Sequence, residues 1–188
     1  IMIESQARYV VRALQFMQRL VLTSATTSQP GSRIVHTPFR LSDTTKSKPS
    51  EFEVVFVDEG VRYEYGFSVD AERIHGEWLI AYPHGRPQNW FERTYHIDKK
   101  EYDWHFSAKL KGSPRVWRDA TRENALFLST AIQLNSAQLR PIFEWFQKKL
   151  VMIFGNDVGE PQLNPTLTYQ LLEQPDGKKK LLQFVRAA

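Results

Sequence analysis

Cysteine is absent from the 188-residue chain. That excludes disulfides and thiolate metal sites, and it fits a cytoplasmic location. Long apolar runs are missing too: residues 126–128 and 150–154 fall far short of the roughly 20 residues a membrane-spanning helix needs. No membrane association is expected. A secretory signal would show a basic head, an apolar stretch and a small-residue cleavage site, whereas the amino terminus spreads Glu4, Arg8 and Arg12 through a helical pattern. Neither a Gly-x-Ser-x-Gly elbow nor a helical His-Glu-x-x-His occurs, so nothing favours a serine hydrolase or a zinc peptidase. No internal repeat is present.

What remains is the composition of a folded, soluble protein. Hydrophobic residues make up 41% and charged residues 24%, enough apolar side chains for a core and too few charges for a disordered segment. Lysine and arginine number 25 against 21 acidic residues, a net charge of +4. That mild excess permits phosphate-bearing partners without identifying one, because steering depends on clustering rather than on the sum. The length suits one moderately large domain or one lobe of a bigger protein.

Val10, Leu14, Met17 and Val21 recur at steps of four, three and four, which predicts a helix over residues 6–22. Residues 23–32, rich in Ser and Thr and holding Pro30, end it in a loop. A first strand over residues 33–41 and an exposed loop over 42–50 follow. The clearest β signal comes next. Phe52, Val54 and Phe56 alternate, Asp58-Glu59-Gly60 supplies a turn, and Val61, Tyr63, Tyr65, Phe67 and Val69 alternate again, a hairpin whose glycine accepts positive φ. Ile74, Trp78, Ile80 and Tyr82 continue on one face, Phe91, Tyr95 and Ile97 suggest a fourth strand after a loop over 83–88, and Tyr102, Trp104 and Phe106 a fifth. Short connections make this an antiparallel meander.

After residues 109–114 the spacing turns helical, over residues 118–130 and 137–154, with Ser136 placed to cap the second helix. A loop over 155–165, a short helix or strand over 166–173 and a last helix over 175–187 complete the pattern. The fold class is α+β: an antiparallel β-meander with an N-terminal helix and a C-terminal helical portion. Residues 1–114 form a helix-plus-sheet subdomain and residues 115–188 a helical one, unless the two are continuous. Both ends of the pattern predict a piece of a larger protein.

Several side chains are candidates for chemistry. Arg8, Arg12, Gln15 and Arg19 share a second stripe of the first helix, which reads as a solvated face, with phosphate contact as the alternative. With Lys109 and Lys111, the three arginines are the candidates for nucleic-acid contact. The aromatic strands offer stacking platforms, although Trp78, Trp90 and Trp104 sit in alternating runs where a core face is the ordinary explanation. His96, Asp98, Asp103 and His105 fall on one hairpin, with His96 roughly opposite Asp103. Strand alternation spreads these groups over both faces, short of the converging ligands a metal-dependent nuclease needs.

One run is more specific. Val10-Val11-Arg12-Ala13-Leu14-Gln15-Phe16-Met17 resembles the helix after the phosphate loop of ABC/SMC-like ATPases. In that class Gly-x-x-Gly-x-Gly-Lys-Ser/Thr-Asn leads straight into the helix, and loop amides plus the lysine hold the nucleotide phosphates. Here Glu4-Ser5-Gln6-Ala7-Arg8-Tyr9 stands in its place, with Ala7 at the lysine and Arg8 at the magnesium-binding hydroxyl. The likeness continues through Pro38-Phe39-Arg40-Leu41, Glu51-Phe52-Glu53-Val54-Val55-Phe56 and Tyr63-Glu64-Tyr65-Gly66-Phe67. It goes on through Arg73-Ile74-His75-Gly76-Glu77-Trp78-Leu79, Trp90-Phe91-Glu92-Arg93, Asn124-Ala125-Leu126-Phe127-Leu128-Ser129, Ile142-Phe143-Glu144-Trp145-Phe146 and Leu182-Gln183-Phe184-Val185-Arg186. In this order the runs resemble AAA-family ATPases of the ABC/SMC-like, OLD-related class, which occur in bacterial abortive-infection and phage-defence systems.

The resemblance implies part of an ABC-type, P-loop ATPase head in a parent protein that binds ATP and magnesium. That parent dimerises around nucleotide and couples turnover to a nuclease effector or to nucleic acid. It implies Gln133 as the counterpart of the glutamine that contacts metal and water, although glutamine in a polar connection is more often a loop residue. Phosphoryl transfer needs a phosphate cradle, a metal and a water-orienting group together. The chain alone is therefore expected to hold no nucleotide and to hydrolyse no ATP, with the remainder of the head as its first partner. The competing reading is a non-catalytic module that binds a partner protein or nucleic acid through its basic surface.

Overall fold

The computed structural model describes residues 2–35 and 48–152, with side chains from residue 9 onward. The described residues up to Leu150 form one compact unit. A long helix, α1 (Met2–Thr23), precedes five strands, β1 (Ser50–Asp58), β2 (Val61–Val69), β3 (Ile74–Tyr82), β4 (Gln88–His96) and β5 (Glu101–Phe106). Three short helices follow, α2 (Pro114–Ala120), α3 (Phe127–Gln133) and α4 (Arg140–Glu144), the last running into a π-helical turn over Trp145–Lys149. The sheet is antiparallel throughout, in the order β1-β2-β3-β4-β5. The α+β class, the N-terminal helix, the meander and the helical C-terminal portion are as the sequence predicts. Among the described residues no helix is long and apolar enough to cross a membrane.

One face of the sheet carries the core. Phe52 and Phe67, Val54 and Tyr65, and Phe56 and Tyr63 pair across β1 and β2; Leu79 pairs with Phe91, and Phe91 with Phe106. In an antiparallel pair such partners point to the same side. Onto that side α1 lays Phe16, 4.8 Å from the Phe52 ring, together with the buried Met17, Leu20 and Val21. Trp145 stacks on Phe56 at 4.0 Å, and Phe127 of α3 packs 4.6 Å from Phe91. The side-chain amide of Gln18 on α1 donates to the carbonyls of Phe146 (2.6 Å) and Leu150 (2.9 Å), fastening the helix to the end of the π turn.

The β1–β2 turn is tighter than the sequence suggests. Asp58 pairs with Val61 as the last rung of the ladder, which leaves Glu59 and Gly60, at φ +48° and +78°, as a two-residue loop. Two positive φ values in succession match the hairpin turn whose twist suits the flanking strands. Asp58 is buried and takes an ion pair from Lys149 of the π turn.

Five other expectations are corrected. Trp78, Ile80 and Tyr82 lie on the face opposite the core, and Glu77, Leu79 and Ala81 of β3 face inward, because Leu79 is in register with Tyr65 and Ala81 with Tyr63. The expected helix over 118–130 is two helices separated by residues 121–126, with Leu126 extended (ψ 139°) before α3. Ser136 caps nothing: it is buried, and the next helix starts at Arg140 with Pro141 in its first turn, where a missing N–H costs nothing. Ile97 is exposed in the β4–β5 turn rather than in a strand. Residues 33–35 belong to no strand, although the Ile34 N–H donates to the Ala71 carbonyl at 2.8 Å. The rest of that expected strand, the run Pro38–Leu41 and all elements expected beyond residue 152 lie outside the described residues.

On the far face the Trp78 ring lies across Gly66, its register partner on β2. A Cβ at Gly66 would stand inside van der Waals contact of that ring and 2.9 Å from the Phe52 carbonyl oxygen. The backbone oxygen cannot yield as a side chain can. Gly66→Ala should therefore lower stability by about 1–3 kcal/mol, the usual cost of overpacking. Urea denaturation measures it, and an unchanged midpoint would show that the ring swings clear.

Candidate functional site

Gln133 is exposed at the last residue of α3. Arg12 and Arg19, two turns apart on α1, are both exposed; Arg19 donates to the Val35 carbonyl and lies 5.4 Å over the Phe16 ring. The Arg8 side chain lies outside the described residues. Lys109 and Lys111 are exposed in the β5–α2 loop, which is tied down by the Lys111 N–H donating to Gln138 Oε1 (2.7 Å) and Gln138 Nε2 donating to the Lys109 carbonyl (3.1 Å). The sequence candidates thus fall on three separate elements.

The hairpin histidines also differ from expectation. Register pairs Thr94 with Asp103 and His96 with Glu101, so His96 reaches Asp103 diagonally, Nε2 to Oδ2 at 2.7 Å. His96, Asp103 and His105 therefore share one face, and Asp98 stands in the turn. Among the described residues no three His, Asp or Glu side chains gather as a metal site requires.

A polar centre that the sequence reading passed over lies between the sheet and α3. Glu77 of β3 and Arg93 of β4 are register partners, fully buried, with Arg93 Nη2 3.0 Å from Glu77 Oε2. Glu77 also accepts from the backbone N–H groups of Phe127 (2.6 Å) and Leu128 (3.0 Å) and from the Tyr65 hydroxyl (3.0 Å). A carboxylate placed there satisfies amides that the first turn of a helix leaves without intrahelical partners. Burial pushes the Glu77 carboxyl above its ordinary range, opposed by the Arg93 guanidinium, the two amides and the Tyr65 hydroxyl. Burial, and then the neighbouring carboxylate, raises the Tyr65 hydroxyl well above its usual value, so it remains a donor.

Arg93 in turn donates from Nη2 to the Ala125 carbonyl at 2.6 Å. Among the described residues its Nε and Nη1 find no hydrogen-bond partner. They lie instead against the rings of Tyr102 and Trp104, whose centroids are 5.5 and 5.3 Å from the guanidinium carbon. Aromatic faces attract a desolvated cation, and Arg suits such stacking better than Lys.

The same scaffold holds α1 against α3. Ser129 Oγ donates to the Val21 carbonyl (2.6 Å), Ser24 Oγ donates to Ser129 Oγ (3.1 Å), and the Leu126 N–H donates to Ser24 Oγ (3.1 Å). Arg122 donates to the carbonyls of Ser24 (3.1 Å) and Ser28 (2.7 Å), and Asn124 Nδ2 to those of Gln29 (2.8 Å) and Ser32 (2.9 Å), closing the loop after α1. Glu77, Arg93 and Asn124 each sit in a run that carried the family resemblance, which was the available signal. In this structure those runs build a buried frame that positions α1 and α3.

A family model described as "AAA domain, putative AbiEii toxin, Type IV TA system" matches residues 10–114. No curated protein and no solved structure matches. The matched span opens in α1, takes in the whole sheet and ends at the first residue of α2. Because it covers more than half of the 188 residues, the chain belongs to this family of AAA-type, P-loop ATPase-like domains.

Proposed function

We propose that the chain is a lobe of an ABC/SMC-like, OLD-related ATP-binding head from a bacterial abortive-infection or phage-defence system, and that it is inactive as an ATPase by itself. The observation that carries this reading is the family match over residues 10–114, which opens in α1, the helix whose sequence resembles the one after a phosphate loop. The remainder of the head is its partner, and the completed parent binds ATP and magnesium, dimerises around nucleotide in the cytoplasm, and drives a nuclease effector or engages nucleic acid.

The residues of this chain do not fit the nucleotide. Residues 4–9 have helical backbone within α1, so from Ser5 onward their amides serve the helix ladder instead of cradling phosphates. Ala7 offers no cation and Arg8 no hydroxyl for a metal. No step of hydrolysis is therefore assigned to these residues. Gln133, at the exposed end of α3, remains the one side chain proposed to reach the metal and water of the completed site.

Incubating the purified chain with ATP and magnesium should release no phosphate above the buffer rate. Robust turnover that Gln133→Ala abolishes would overturn the reading. The exposure of Arg12, Lys109 and Lys111 favours a second reading, a non-catalytic module that binds nucleic acid or a partner protein through these cations. Salt-sensitive binding of an oligonucleotide, weakened by Lys109→Glu with Lys111→Glu, distinguishes it.

A further inference from the structure

The face of the sheet turned away from α1 differs in character from the rest of this basic chain. Strand alternation places Glu51 and Glu53 of β1, Glu64 of β2, Glu92 of β4, and Glu101 and Asp103 of β5 on it. Arg62 is the only lysine or arginine that the five strands' register adds to this face, and it is spent on Glu64 and on the Tyr82 ring, 4.8 Å from its guanidinium carbon. Six carboxylates against one guanidinium give a strongly acidic surface on a chain whose net charge is +4.

Apolar groups flank the charged side chains of β2. Val55 and Val57 on β1 are 49% and 65% exposed and Trp78, Ile80 and Tyr82 on β3 are half-buried, with Glu64 between Val55 and Ile80 and Arg62 between Val57 and Tyr82. Trp78 is laid flat by the absence of a side chain at Gly66, and its Nε1 donates to Glu53 Oε2 at 2.9 Å, so the indole crosses from β3 over β2 to β1. Tyr82 donates to Glu64 at 2.8 Å and Asn89 to Glu92 at 3.0 Å, which orients two more carboxylates. On β4 and β5 the surface dips into a shallow depression lined by Glu92, Thr94, His96, Asp103 and His105. The ring contacts of Phe16 with Phe52 and Phe67, of Trp145 with Phe56, and of Phe127 with Phe91 and Trp104 fall on the other face.

We propose that this acidic, aromatic-centred face docks a basic amphipathic helix of a partner protein. Four inter-strand spacings of about 4.8 Å make it roughly 19 Å across, room for one helix about 10 Å in diameter. The apolar stripe of such a helix covers Val55, Val57, Ile80 and the open ring of Trp78, while its lysines and arginines meet the carboxylate rim and the indole face. Charge complementarity selects this occupant: phosphate backbones are repelled here, and nucleic acid is left to the cations of α1 and the β5–α2 loop. The assignment is independent of the nucleotide reading, because peptide binding and ATP turnover are separate readouts.

The test uses the full chain and a fluorescein-labelled peptide of roughly 20 residues, about 30 Å long as a helix, with leucine at i, i+3, i+4 and i+7 and lysine or arginine elsewhere. Anisotropy should show saturable binding, none by the matched peptide carrying glutamate for lysine and arginine, and about tenfold weaker binding to Glu51→Lys with Glu101→Lys. Both residues are exposed, so thermal melting should leave that double variant unchanged. Failure of the basic peptide to bind, or binding indifferent to the charge reversal, overturns the proposal. So does a homodimer, seen in sedimentation, that the same reversal dissolves.

Discussion

Arg93→Met should destabilise the protein by about 3–5 kcal/mol, the cost of breaking a buried ion pair from one side. The magnitude follows from what remains. Glu77 would stay out of water with its carboxyl pushed up further, retaining two backbone amides and the Tyr65 hydroxyl but losing the guanidinium 3.0 Å away. The Ala125 carbonyl would lose its donor at the same time. Replacing both residues together, Glu77→Leu with Arg93→Met, should recover part of the loss, since the orphaned charge disappears while the unpaired amides of α3 remain. Denaturant unfolding of the two variants measures this, and a single variant within about 1 kcal/mol of wild type would mean that water reaches the pair.

Phe127→Ala should cost a similar amount, about 3–5 kcal/mol. Its ring is fully buried and meets those of Phe91 (4.6 Å), Phe106 (5.4 Å), Trp104 (5.5 Å) and Trp117 (6.2 Å). Four aromatic side chains from β4, β5 and α2 cannot all close on the space it leaves. Phe127→Leu should cost less, because more of the volume stays filled. Comparing the two by thermal unfolding separates the cavity from any effect on the Glu77 contact, which the backbone N–H of residue 127 makes in both. Equal losses would show that the ring's volume is not what matters.

Much of the sheet was legible because alternation and turn chemistry are local. The pairs Phe52/Phe67 and Phe56/Tyr63 and the Gly60 turn require only neighbouring residues to agree. The inward face of β3 was not legible. Its sequence is apolar at both parities, and the larger residues Trp78, Ile80 and Tyr82 outweigh Leu79 and Ala81 in any reading by size. The deciding facts are the Tyr65–Leu79 register and Gly66, which lets an indole lie on the outer surface.

The helical portion was misread for a related reason. Residues 118–130 carry a helical period, yet Glu77 takes the N–H groups of Phe127 and Leu128, which are free only if a helix begins there. A carboxylate some 50 residues away in sequence thus fixes that boundary, and no local window contains it. The candidate site shows the same division. Single exposed residues such as Arg12 and Gln133 could be named from sequence, whereas the Glu77–Arg93 pair depends on strand register.

The meander order has a consequence for how the chain reaches this structure. Each strand pairs with its neighbour in sequence, so the sheet assembles through short loops and little entropy is lost in closing them. The long-range expense is concentrated in one step. Gln18 must meet carbonyls 128 and 132 residues away, and Val21 must meet Ser129 across 108. Seating the first helix therefore waits on the arrival of Ser129, Phe146 and Leu150, which makes α1 the earliest element in the chain and the one whose order depends on synthesis having passed residue 150.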